Sequence, residues 1–105
     1  IHTIGRNLAR PLDPWIITRI FPGAEPPSLS QRIALFEPHG FSVLDVENLR
    51  LHYALTLREW LARFESHAAE VARMYDERFV RMWRYYLAGS IAAFESGFLP
   101  LFEVQ

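Results

Sequence analysis

The chain has 105 residues, of which 50% are hydrophobic, 14% aromatic and 22% charged, a composition that excludes intrinsic disorder. Eleven basic residues, all of them Arg, face twelve acidic ones for a net charge of −1, which argues against a dedicated nucleic-acid binder. The absence of cysteine and the scatter of the five glycines exclude disulfides, thiolate metal sites, Cys nucleophiles and a phosphate-cradling Gly-rich loop from these residues.

Residues 1–4 read as the end of a buried strand that runs into a loop at Gly5. The opening on Ile1 rather than Met, within the apolar string IHTIG, reads as a piece of something longer. Residues 6–12 are polar, contain Pro11 and read as a loop. Asp13-Pro14 predicts a helix start, because Asp caps free N–H groups and Pro suits the first helical position. That helix, PWIITRIF, should stop at Pro22-Gly23. Ser28, with Gln31 three positions on, predicts a capping box and a second helix to about Glu37, closed by Pro38-His39-Gly40.

FSVLDVENL, residues 41–49, has the β-branched, alternating character of a strand. From Arg50 the period becomes helical: Tyr53, Leu57, Trp60, Leu61, Phe64, Ala68 and Val71 share one face. Asp76 should cap a further helix with the apolar stripe Phe79, Met82, Trp83, Tyr86, Leu87, Ser90, Ile91 and Phe94. Glu77 and Arg81 stand at ion-pair spacing on its solvated face. Gly97 suits a left-handed C-terminal cap, and LPLFEVQ reads as a last strand. No signal peptide is visible. The longest weakly polar stretch, Tyr85–Phe94, is far short of the roughly 20 residues needed to span a bilayer. The chain therefore reads as soluble or membrane-surface bound. His39, His52 and His67 have no metal-ligand spacing, so no metal site is expected. Three short strands make a poor sheet alone, which again suggests that other strands belong with them.

Several strings carry a family resemblance: HTIG at 2–5, PW at 14–15, IFPGAEPPSLS at 20–30, GFSVLDVENLRLHYALTLREW at 40–60, MYDERFVRMWRYYLAGS at 74–90, and the close LFEVQ. In this order and spacing the chain closely resembles the C-terminal part of the cyclopropane-fatty-acyl-phospholipid synthases, relatives of the mycolic acid cyclopropane synthases. The resemblance covers essentially all of residues 1–105. It implies an α/β fold: the last part of a Rossmann-like S-adenosylmethionine-dependent methyltransferase domain, helix-rich when taken alone, with its cofactor-binding half upstream. It also implies that the first strand is the fifth of the parent sheet and FSVLDVENL the sixth. LFEVQ would be the seventh, antiparallel and inserted between them. The intervening helices would cover a lipid cleft.

The same resemblance implies a chemistry. A sulfonium methyl is transferred to a cis double bond of an acyl chain, and the resulting carbocation loses a proton as a cyclopropane ring closes. Bicarbonate is the implied base, held by His2, Ile4 (through its backbone) and Tyr53, together with an upstream Glu and Cys. Phe21 and Leu57 would line the acyl tunnel. The implied partner is the unsaturated phospholipid at a membrane surface, with a cytoplasmic location peripheral to the inner membrane. Self-association is left open, since aromatic-rich helices would expose apolar surface. Such a site should be dry and mostly apolar, because water quenches a carbocation. Two further readings are a product with a methyl branch instead of a ring, and a non-catalytic helical module that binds lipid or protein.

Overall fold

The computed structural model describes residues 1–105. In chain order it contains β1 (His2–Ile4), α1 (Pro14–Arg19), α2 (Leu29–Phe36), a 3-10 turn (Glu37–His39), β2 (Val46–Asn48), α3 (Arg50–Ser66), α4 (Ala68–Met74), α5 (Glu77–Glu95) and β3 (Leu101–Val104). The sheet order is β1-β3-β2, with β3 antiparallel to both neighbours. The last strand therefore lies between the other two, as the family resemblance implies. Register pairs His2 with Glu103, Ile4 with Leu101, and Val46 with Val104.

Local chemistry explains the helix starts. The Asp13 carboxylate accepts from the Trp15 N–H at 2.8 Å, with Pro14 at the first helical position. Ser28 and Gln31 form the reciprocal capping box. The Asp76 carboxylate accepts from the Phe79 N–H at 2.6 Å. At the far end of α5 the Arg50 guanidinium donates to the Phe94 and Glu95 carbonyls at 2.8 and 2.7 Å, so a side chain of α3 satisfies carbonyls the last turn leaves free. Gly97 then turns the chain at φ +80°, a left-handed conformation that favours glycine. Ser28 is buried. Ser28→Ala is expected to destabilise the fold by about 1 kcal/mol, read as a lowered midpoint in urea unfolding with an unchanged slope.

The core lies between α3, α5 and β3: Ala54, Leu57, Leu87, Ile91, Phe94 and Leu101. At the first loop, a Cβ on Gly5 would come within 3.1 Å of the Phe102 ring and 3.2 Å of the Pro27 carbonyl, so the close approach of loop and sheet favours glycine there. Arg6 beside it is only 1% exposed. Its guanidinium stacks on the Phe98 ring at 4.6 Å and donates to the Pro11 carbonyl at 3.0 Å. Burial, and secondly Arg10, pull its pKa below the ordinary Arg value. The chain is elongated, 51 × 25 × 23 Å, with a radius of gyration of 16.2 Å; a compact chain of this length would have about 13 Å. Only 14 of 105 residues are buried, and large apolar side chains such as Leu35, Phe41 and Leu44 are exposed. No helix is long and apolar enough to cross a membrane.

Four expectations are corrected. The strand over 41–49 shrinks to Val46–Asn48, because the Leu44 and Asp45 N–H groups both converge on the Gln105 carbonyl and break the ladder. The first strand is less buried than expected: within residues 1–105 it lies at one edge of the sheet, and of its three residues only Thr3 is buried. The helical stretch after Arg50 breaks at His67 into α3 and α4, and the expected stripe residue Trp60 is 45% exposed. Glu77 and Arg81 do not pair. The charged side chains instead link different helices, Arg84 of α5 to Glu65 of α3 at 2.8 Å and Arg58 of α3 to Glu95 of α5. These pairs are exposed and individually worth little.

Candidate functional site

One apolar cavity of about 520 Å³ lies between the end of β1, α1, α3, α5 and the segment 96–99. Its size falls within the usual range for small-ligand sites, about 300–1,000 Å³. Four of the five residues singled out in the sequence line it: Ile4, Phe21, Tyr53 and Leu57. His2 does not. It stands on the same sheet face as Ile4, two residues back, where its Nε2 meets the Glu103 carboxylate at 2.9 Å.

Helix geometry explains the grouping. Tyr53 and Leu57 sit one turn apart on α3, so they project side by side. Leu57 is 1% exposed and belongs to the core as well as to the cavity wall. Tyr53 packs edge-on against Phe94 at 4.9 Å and Trp60 at 6.0 Å. Facing them, α5 offers Tyr86, Ser90 and Ala93 at helical spacing, with Gly89 beside them. Gly89, Ser90 and Ala93 are small and leave open the space that larger residues would fill. Phe21, following α1, meets Tyr86 edge-on at 5.9 Å, and Trp15 meets Tyr85 at 4.9 Å, so α1 closes the cavity on aromatic contacts.

Few polar groups enter this space. Burial raises the pKa of Tyr53. Burial also raises that of Tyr86. The two phenols thus face a common interior and stay protonated as donors. The sign for stability follows: a phenol whose pKa is raised on folding stabilises fully below the ordinary tyrosine pKa, about 10. That contribution is lost as pH rises through the raised value. Ultraviolet titration of phenolate should show late-ionising tyrosines, and Tyr53→Phe and Tyr86→Phe should each remove part of the late rise. An unchanged curve in both variants would contradict the placement.

Ile4 contributes more than a side chain. Hydrogen bonds flank its strand pair at Ile1–Val104 and Gly5–Pro100. By the alternation of an antiparallel ladder, the Ile4 N–H then points to the unpaired edge of the sheet. No three His, Asp or Glu side chains converge in a way that would hold a metal ion.

By periodicity Tyr86 and Ser90 belong to a core stripe, and no sequence pattern gives Trp15 a role, yet all three line the cavity. The signal in the sequence is the set of small residues Ala88, Gly89, Ser90, Ala92 and Ala93, interrupted only by Ile91, on an otherwise bulky helix.

The family model described as mycolic acid cyclopropane synthetase matches residues 1–104. A probable fatty acid methyltransferase of Pseudomonas putida is 40% identical over 98% of this chain and 26% of its own length. The cyclopropane-fatty-acyl-phospholipid synthase of Escherichia coli is 39% identical over 99% of this chain and 27% of its own. The tuberculostearic acid methyltransferase UfaA1 of Mycobacterium tuberculosis is 43% identical over 85% and 21%. Among solved structures, the mycolic acid cyclopropane synthase CmaA1 complexed with SAH and CTAB superposes with a TM-score of 0.85 at 28% identity, covering 98% of this chain and 41% of that one. The chain thus spans about a quarter of the length of these curated relatives.

Proposed function

We propose, for a chain that belongs to the mycolic acid cyclopropane synthetase family, that residues 1–105 form the C-terminal part of the catalytic domain of an S-adenosylmethionine-dependent lipid methyltransferase. On this reading the complete enzyme acts on a cis double bond in an acyl chain of a membrane phospholipid and closes a cyclopropane ring. The observation that carries it is the cavity holding Ile4, Phe21, Tyr53 and Leu57 together. Its mostly apolar lining suits an acyl chain, and such walls are what a carbocation needs once water is excluded.

In the reaction the C–S bond of the sulfonium breaks as a bond forms from the methyl carbon to one alkene carbon. Positive charge develops on the other alkene carbon. A proton then leaves the transferred methyl, and the electrons of that C–H bond close the ring. Bicarbonate, when bound, supplies the base for that proton. The chain's own groups support its seat. Tyr53 and Ile4 both line the cavity, the Tyr53 hydroxyl has no hydrogen-bond partner within residues 1–105, and the Ile4 N–H points away from β3, so both could donate to an anion. The faces of Tyr53, Phe21 and Tyr86 suit a neighbouring cation. With its Nε2 on Glu103, His2 would join this seat through Nδ1. Cofactor binding is assigned to upstream residues, since residues 1–105 carry no Gly-rich loop. The product with a methyl branch is the second reading, supported by the identity to a tuberculostearic acid methyltransferase.

The test uses the complete polypeptide, S-adenosylmethionine labelled in its methyl group, and vesicles of dioleoylphosphatidylethanolamine with dioleoylphosphatidylglycerol. Label should remain with the acyl chains after saponification. Label recovered in the head group, or none in the lipid, would reject acyl modification.

A further inference from the structure

Beside the apolar cavity runs a second, wider groove. It shares Asp13, Trp15 and Tyr85 with the cavity, so the two are continuous. Its walls carry Arg19 from the last turn of α1, and Arg78 and Arg81 from the first turns of α5. None of the three takes part in an ion pair: the chain's salt bridges use His2, Arg58 and Arg84. The two carboxylates in the groove, Asp13 and Asp76, are engaged in capping α1 and α5. Three guanidiniums against two carboxylates leave the groove at +1 in a chain of −1. Around them stand exposed amphipathic aromatics, Tyr75 at 63% and Tyr85 at 64%, with Tyr75 stacked on Phe79 at 4.4 Å.

Free guanidiniums that present several donors suit phosphate oxygens, and Tyr, Trp and Arg together suit the headgroup layer of a bilayer. We infer that this groove is where the protein meets a membrane: Arg19, Arg78 and Arg81 receive the phosphates of anionic phospholipids, and Trp15, Tyr75 and Tyr85 enter the headgroup layer at the mouth of the acyl cavity. The inference rests on the acyl-lipid reading for its purpose, but binding can be measured without turnover. Because groove and cavity share Asp13, Trp15 and Tyr85, a phosphate held at the arginines would stand beside the cavity that would take the acyl chain.

The experiment is vesicle co-sedimentation of the complete protein at constant ionic strength. The vesicles are dioleoylphosphatidylcholine with or without dioleoylphosphatidylglycerol. The double variant Arg78→Ala/Arg81→Ala should lose affinity for the anionic vesicles by about thirtyfold. A control, Arg63→Ala/Arg73→Ala, removes the same charge from exposed positions outside the groove and should lose roughly threefold or less. Equal losses in the two pairs would reduce the effect to net charge and overturn the inference. Failure of the unaltered protein to bind the anionic vesicles would also overturn it, as would saturable binding of inorganic phosphate without vesicle binding. If the vesicles bind as expected but no labelled acyl product forms, the methyltransferase reading fails and the docking surface stands.

Discussion

Replacing Tyr53 with Phe should lower kcat on unsaturated phospholipid by about a hundredfold while changing the lipid KM by roughly twofold or less. The ring would remain to pack edge-on against Phe94 and Trp60, so the cavity wall is kept. Only the hydroxyl is lost. A bond that positions a base is needed mainly as the proton leaves, so its removal falls on the transition state and not on lipid binding. The fold should tolerate the change, because the ring keeps its packing and no hydrogen bond within residues 1–105 uses the hydroxyl. Steady-state kinetics on the complete enzyme checks this. An unchanged kcat would remove Tyr53 from the chemistry, and a rise in KM alone would make it a lipid contact.

The largest stability effect is expected at Phe94. It is 2% exposed, touches the core formed with Leu57, Leu87 and Ile91, and supports Tyr53 from below. Phe94→Ala should cost about 3–5 kcal/mol, a large share of the roughly 5–15 kcal/mol that holds a typical domain together. Phe41→Ala, at a position 68% exposed, should cost no more than about 0.5 kcal/mol. Urea unfolding of the two variants separates the cases. Similar small losses in both would mean that the α3–α5 contact is not the core.

Much of this arrangement was legible in local chemistry. Asp13-Pro14, the Ser28–Gln31 box, Asp76 and Gly97 each mark an element end that the fold uses as expected. The period change at Arg50 marks α3, and the stripe from Phe79 to Phe94 marks α5. The insertion of β3 between β1 and β2 followed from family resemblance alone, since no local signal ranks three short strands in a sheet.

What was not legible depends on tertiary placement. A residue such as Tyr86 repeats at helical spacing whether it packs solidly or borders a void. Only the crossing of α1 over α5, set by Trp15–Tyr85 and Phe21–Tyr86, decides which. The direction of His2 depends on its partner across the strand, Glu103, which lies about a hundred residues away in sequence. The break at His67 has a local cause that periodicity does not register. Its ring nitrogen Nδ1 lies 2.9 Å from the Arg63 carbonyl and 3.0 Å from the Ser66 hydroxyl, at the point where the helix ends.

The fate of the transferred methyl group is the most direct test of ring formation. The complete enzyme should be given S-adenosylmethionine with a trideuterated methyl group and vesicles of dioleoylphosphatidylglycerol, and the acyl products analysed by mass spectrometry and NMR. A cyclopropane ring whose new carbon keeps two deuteriums is the predicted result, because one deuteron leaves to the base as the ring closes. An intact trideuteromethyl branch, or acyl chains without deuterium, would contradict it.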